Sequence, residues 1–130
     1  MPTLDRTAAI NIAKSFLDCF STMDFQRASS LMTDDAVVAF PYNPSGADPM
    51  PKSILIDDWV TSVPQFLKSV SFTIESEYYD PETGFVILEY HSSGIRVDGA
   101  PYGNDYISIW ELKGDKIRVW REYFNPAKLG

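Results

Sequence analysis

From Val70 to Phe124 the chain alternates apolar and polar residues with few interruptions, and no earlier stretch does so. Alternation with period two sends successive side chains to opposite faces of an extended backbone, so this half of the chain specifies strands. Three turn signals divide it: Asp80-Pro81-Glu82-Thr83-Gly84, Asp98-Gly99-Ala100-Pro101 and Gly114-Asp115. Strands are expected over residues 71–79, 85–96, 102–113 and 116–124, with Pro126 ending the last.

The chain before Val70 has helical texture. Ile10, Ala13, Phe16, Leu17 and Phe20 fall on one stripe of a helix over residues 3–22. Met23-Asp24 breaks it, and Asp24 is placed to cap a short second helix carrying Ala28 and Leu31. Thr33-Asp34-Asp35 reads as a turn and residues 36–40 as a short strand. Pro41, Pro44, Pro49 and Pro51, with Gly46 among them, then make residues 41–52 a loop. A loop of that kind inside a compact domain suits the rim or lid of a cavity. Ser53 can cap a third helix through Trp59, which Pro64 interrupts or restarts and whose apolar face Phe66 and Leu67 continue. Helices followed by a meander of long strands are an α+β arrangement, with the helices on one face of a curved antiparallel sheet.

The length, 130 residues, suits a single domain over residues 1–130 with a substantial core. Aromatic residues reach 14%, enough either for a densely packed core or for the lining of an apolar pocket. The net charge of −7 opposes binding to nucleic acid, because such binding rests on neutralising phosphates with cations. It also disfavours anionic membranes and acidic substrates. The basic segment from Lys113 to Arg121 alternates with apolar residues and reads as a strand with a solvated edge. No apolar run reaches membrane-spanning length, and Asp5 and Arg6 precede any apolar stretch, so neither a membrane span nor a signal peptide is expected. A single cysteine, Cys19, allows no internal disulfide; a cytoplasmic location is the default. One histidine, one cysteine and no ligand-spaced cluster leave no zinc site, and no glycine-rich phosphate loop is present, so no metal or cofactor is expected.

Three segments carry a resemblance. Asp34-Asp35-Ala36 leads through a short strand to Phe40-Pro41; Tyr102-Gly103-Asn104-Asp105-Tyr106 opens a strand; Gly114-Asp115-Lys116-Ile117 runs into Trp120-Arg121-Glu122-Tyr123-Phe124-Asn125-Pro126. With the order of elements, these make the chain similar to the nuclear transport factor 2-like superfamily and, within it, the SnoaL-like group. That group includes polyketide cyclases, ketosteroid isomerases, limonene epoxide hydrolases and phenazine-biosynthesis A/B proteins. The resemblance implies a cone-shaped, cystatin-like α+β fold whose helices and bent sheet enclose a pocket. It fixes no reaction, because the fold hosts many.

The catalytic positions of those relatives are replaced here. Where ketosteroid isomerases carry their base and their oxyanion tyrosine, this chain has Phe40 and Phe16. Where limonene epoxide hydrolases carry an Asp–Arg–Asp set with Tyr and Asn, counting without gaps gives Glu122, Glu89, His91, Val37 and Ala39. A carboxylate at Glu122 alone survives.

Strand parity supplies an independent handle. Glu89 and His91 share a face, as do Trp120, Glu122 and Phe124, and as do Asn104, Tyr106, Ser108 and Trp110. If those faces line the pocket, Glu89, His91 and Glu122 form an acid–base set among aromatics. Phe16, Cys19, Phe40, Trp59, Asn104, Tyr106, Trp120 and Phe124 would then contact an apolar small-molecule ligand. The competing readings are ordinary ones. His91 would be half exposed and inert, Glu89 a solvated edge carboxylate, Glu122 a partner of Arg96, Arg118 or Arg121, and Cys19 a small buried helix residue.

The expected function is a cofactor-independent acid–base enzyme, an isomerase, cyclase or hydrolase. Its substrate would be an apolar oxygenated compound such as a polyketide, terpenoid or steroid-like molecule of secondary metabolism or catabolism. The alternatives are a binding module that holds such a ligand without chemistry, and a homodimeric interaction domain. Ile107, Ile109, Val119 and Tyr123, opposite the pocket face, suit a dimer through the convex side of the sheet.

Overall fold

The computed structural model describes residues 4–42 and 49–128. Helix α1 (Arg6–Ser21) starts where the Asp5 carboxylate accepts the Ala8 N–H at 2.7 Å, and it buries Ala9, Ile10, Ala13, Phe16 and Leu17. The chain reverses at Met23, which takes the left-handed φ of 57°. Asp24 caps α2 (Phe25–Ser30) as expected, accepting the Arg27 N–H at 3.0 Å.

The first strand is longer than the sequence suggests. β1 spans Met32–Ala39, and β2 (Met50–Pro51) pairs with it in antiparallel register. A π-helical turn (Leu55–Trp59) continues into α3 (Val60–Phe66). Its first turn hangs from the Ser53 carbonyl, which accepts the N–H groups of Ile56 and Asp57. Pro64 removes one ladder donor inside α3, and the helix ends at Phe66. Then come β3 (Leu67–Asp80), β4 (Phe85–Arg96), β5 (Pro101–Tyr102), β6 (Asp105–Lys113) and β7 (Lys116–Phe124), followed by a 3₁₀ turn (Pro126–Lys128).

The sheet order is β2-β1-β7-β6-β4-β3, with β5 paired to β4. The long strands β3, β4, β6 and β7 form the expected antiparallel meander. β1 joins it by pairing in parallel with β7, which makes the sheet mixed and puts the last strand in the middle. Residues 33–36 sit where the register slips, between the pairs Met32–Ile117 and Val37–Val119. The turn expected at Thr33-Asp34-Asp35 is therefore a bulge within a strand, closed by a Thr33 Oγ1 to Asp35 Oδ1 bond of 2.8 Å.

Two further irregularities, between Leu67 and Ser69 and between Ile74 and Ser76, bend β3 against β4. At the first of them β4 has Gly94, where any Cβ would overlap the Ser69 carbonyl oxygen. The inner face of the curled sheet buries Val86, Leu88 and Tyr90 of β4, Ser108 and Trp110 of β6, and Ile117 and Trp120 of β7. α1 packs across this face, and its polar side reaches β3, where Lys14 Nζ lies 2.6 Å from Glu77. Burying each of these large apolar side chains contributes roughly 1.5–3 kcal/mol. Among the described residues no helix is long and apolar enough to cross a membrane. Of the expected lid over residues 41–52, positions 43–48 lie outside the described residues.

Candidate active site

Between the inner face of the sheet and the helices lies a cavity of about 340 Å³. Leu17 and Phe20 of α1 form one side; Trp59 and Val63 of the third helical segment, with Phe40 just after β1, form another. Leu67, Val70 and Phe72 of β3, Tyr102 of β5, Tyr106 of β6, and Trp120, Glu122 and Phe124 of β7 complete the wall. Strand parity explains the last set, since alternate residues of β7 point inward.

The wall is mostly aromatic. Trp120 is its hub, packed edge-on against Phe16, Phe20, Phe40 and Trp59 at centroid distances of 4.8, 5.3, 5.3 and 6.0 Å. Among the described residues no lysine, arginine or histidine lines the cavity, and Glu122 is the one carboxylate in its wall. Burial pushes the Glu122 carboxyl up to about 7, against the opposing pull of a bond from Tyr90. That bond runs from Tyr90 Oη to Glu122 Oε1 at 3.3 Å, and Tyr90 Oη also meets Ser108 Oγ at 2.7 Å.

Tyr90 and Tyr106 stand opposite each other on neighbouring strands and stack, with centroids 4.8 Å apart and planes 17° from parallel. Burial and the nearby Glu122 charge raise both phenols above their ordinary range. The Tyr106 hydroxyl meets Ser92 Oγ at 2.9 Å, and Ser92 Oγ accepts the Asn104 N–H at 3.0 Å.

Of the residues expected at the site, the cavity wall brings together Phe40, Trp59, Tyr106, Trp120, Glu122 and Phe124. His91 and Glu89 are corrected: both lie on the outer face of β4. His91 is 41% exposed, with Nδ1 2.6 Å from Glu75 Oε1, and Glu89 accepts from Ser76 Oγ. The reason is register. Glu89 pairs with Ile107 and His91 with Asp105, so they share the face of outward residues, while Val86, Leu88, Tyr90 and Ser92 turn inward.

Phe16 and Cys19 are corrected by a smaller margin. Both are fully buried in the core beneath the wall, which Leu17 and Phe20, one position further round the helix, provide. Burial raises the Cys19 thiol above its ordinary range, which makes it a poor nucleophile. Asn104 is also behind the wall. Its Oδ1 accepts the N–H groups of Asp105 and Asn125 at 2.8 and 3.1 Å, tying the start of β6 to the end of β7.

The sequence reading passes over Tyr90, Ser92 and Tyr102. Their signal was available in part: once Tyr106 and Ser108 are set inward, the residues opposite them on β4 must also point inward.

A family model described as the SnoaL-like domain matches residues 13–120. The uncharacterised protein YesE of Bacillus subtilis (strain 168) is 30% identical over 123 residues, covering 91% of this chain and 82% of its own. The crystal structure of a Bacillus subtilis protein named provisionally as an isomerase superimposes with a TM-score of 0.82 at 27% identity, covering 97% of this chain and 93% of that one. The pinacolase BvnE of Penicillium brevicompactum superimposes with a TM-score of 0.83 at 16% identity, over 95% of this chain and 89% of its own, a likeness of fold. The chain belongs to the SnoaL-like domain family and has the nuclear transport factor 2-like fold.

Proposed function

We propose that this protein is a cofactor-independent acid–base enzyme, an isomerase, cyclase or hydrolase acting on an apolar oxygenated small molecule of the polyketide, terpenoid or steroid-like kind. One observation carries the reading: a carboxyl group whose midpoint burial raises to about 7 faces a cavity that is otherwise aromatic and aliphatic among the described residues. A carboxyl with that midpoint is both a better base than an exposed glutamate and a usable acid at neutral pH. Glu122 is the proton carrier in this reading, and the aromatic wall supplies orientation and excludes water. The isomerase and pinacolase names of the structural neighbours agree with proton-transfer chemistry.

The test uses 2-tetralone, a neutral bicyclic ketone whose C–H bonds beside the carbonyl enolise readily. In D₂O, proton NMR follows their replacement by deuterium. The protein is expected to accelerate exchange, and Glu122→Gln to reduce the protein-dependent rate by about 10²–10⁴-fold. Exchange by Glu122→Gln at the full rate overturns the assignment.

A second reading, a binding module without chemistry, is favoured by the placement of His91 and Glu89 outside, which leaves Glu122 without a second carboxylate or imidazole in the wall among the described residues. We also propose a homodimer through the outer face of the sheet, where Ile107 stays 39% exposed.

A further inference from the structure

The helical segment over residues 54–66 covers one side of the cavity, yet it is weakly fastened along its length. Leu55 is its one fully buried residue, and α3 buries none. By contrast α1 buries Ala9, Ile10, Ala13, Phe16, Leu17 and Cys19. The outer side of the segment leaves Ile56, Val60 and Phe66 in water at 37, 45 and 43% exposure. Among the described residues no side chain from 54 to 65 makes a hydrogen bond or an ion pair. Its backbone ladder is irregular twice, at the π turn over Leu55–Trp59 and at Pro64, which has no N–H to give. A helix this short holds its shape through packing rather than propensity. Here the packing is Leu55, Val63 and the Trp59 ring, which meets Phe20, Phe40 and Trp120 at 5.8, 5.4 and 6.0 Å.

Both ends of the segment are tied down, in contrast to its middle. At the first end the Lys52 N–H donates to the Ala36 carbonyl at 3.0 Å, and the Lys52 ammonium, on a side chain 19% exposed, donates to the carbonyls of Ser29 and Met32 at 3.0 and 3.3 Å. At the second end the Phe66 carbonyl accepts the Val97 N–H at 3.0 Å, and the Phe66 ring lies between the Arg96 guanidinium and Tyr102. Leu67 then enters β3 opposite Arg96. Fixed ends around a loosely packed middle are the arrangement of a hinged element. We propose that residues 54–66 are a hinged cap that opens as one unit about Lys52 and about Phe66–Leu67, drawing Trp59 out of the aromatic wall, and that a ligand in the cavity closes it. Closure follows from the contacts. Trp59 and Val63 touch the cavity only while the cap is down, so an apolar ligand gains their surface in the closed state alone and shifts the population toward it. Lys52 is a positioning residue for the cap in this account and does not reach the cavity wall.

The test is amide hydrogen exchange of the whole chain, read by mass spectrometry of its peptides. In the ligand-free wild type the hydrogen-bonded amides of residues 57–66 are expected to exchange about 100-fold faster than those of α1, and to do so together. Lys52→Met, which keeps the apolar stem and removes the ammonium, should speed exchange in the cap by a further tenfold or so and leave α1 unchanged. Millimolar 2-tetralone should slow the cap by about tenfold while the amides of β6 and β7 keep their rates. A cap as slow as α1 in the wild type overturns the proposal, and that measurement needs no variant. Lys52→Met that speeds every element alike also overturns it, since the lysine then supports the whole fold rather than the hinge. Exchange in residues 57–66 that is unaltered by the ketone overturns the closure. The ligand-free measurement involves no catalysis, so its outcome is separate from that of the proton-transfer reading of Glu122.

Discussion

Tyr90 Oη lies 3.3 Å from Glu122 Oε1 and 2.7 Å from Ser108 Oγ, so the carboxylate that faces the cavity is held from behind by a fully buried phenol. A donor to the ionised form favours ionisation. Removing it with Tyr90→Phe should therefore move the Glu122 midpoint upward from about 7, by roughly half to one pH unit. A ¹³C-carboxyl NMR titration, assigned with Glu122→Gln, reads this directly. An unchanged midpoint would mean that Tyr90 only fills space.

The same carboxyl links stability to pH. Its midpoint is raised from 4.5 to about 7 on folding, so the folded protein binds the extra proton between those values. Stability from this group is complete below about 4.5 and is lost as pH rises through 7, amounting to up to about 3 kcal/mol. Thermal melts should show Tm falling from pH 5 to pH 8, and Glu122→Gln should melt higher than the wild type at pH 8. Equal Tm values there would place the Glu122 charge in better solvation than the apolar wall suggests.

Gly94→Ala should destabilise the fold by about 1–3 kcal/mol in urea titration, because its methyl group meets the backbone of Ser69 and Val70 rather than a movable side chain. At Gly99, with φ of 91° and open space around it, alanine should cost about 1 kcal/mol through backbone strain alone. A Gly94→Ala protein as stable as the wild type would show that β3 can give way at its bulge.

The homodimer is tested by sedimentation at micromolar concentration, where twice the 14.7 kDa chain mass is expected. Ile107→Glu, which charges the exposed centre of the outer face, should return the mass to that of the monomer. A monomer mass for the wild type at all concentrations sinks the dimer.

The four long strands were legible because each turn between them has glycine or proline chemistry and β3, β6 and β7 alternate over most of their length. Parity on β4 was not. Phe85, Val86, Ile87 and Leu88 are apolar on both faces, so alternation gives no inside or outside there. The connection from β4 through β5 to β6 is long enough to leave the pairing register open, and one residue of slip exchanges Glu89 and His91 for Tyr90 and Ser92. β7 was readable because Trp120 and Phe124 bracket Glu122, and two large aromatics at that spacing must go inside together. On α1 the apolar pattern singles out neither Leu17 nor Phe20 as wall, since a helix stripe is wide and both Phe16 and Leu17 fall within it. The parallel pairing of β1 with β7 was beyond reach, because no local signal specifies a partner so distant in the chain.

That central position of β7 has a consequence for synthesis. The ribosome delivers the strands in chain order, so β1 waits with an unpaired edge until the stretch from Lys116 to Phe124 emerges and fills the gap between it and β6. The aromatic hub and the carboxylate arrive on that same strand. A nascent chain halted before it has no site and an open seam, exposed to whatever else is being made nearby.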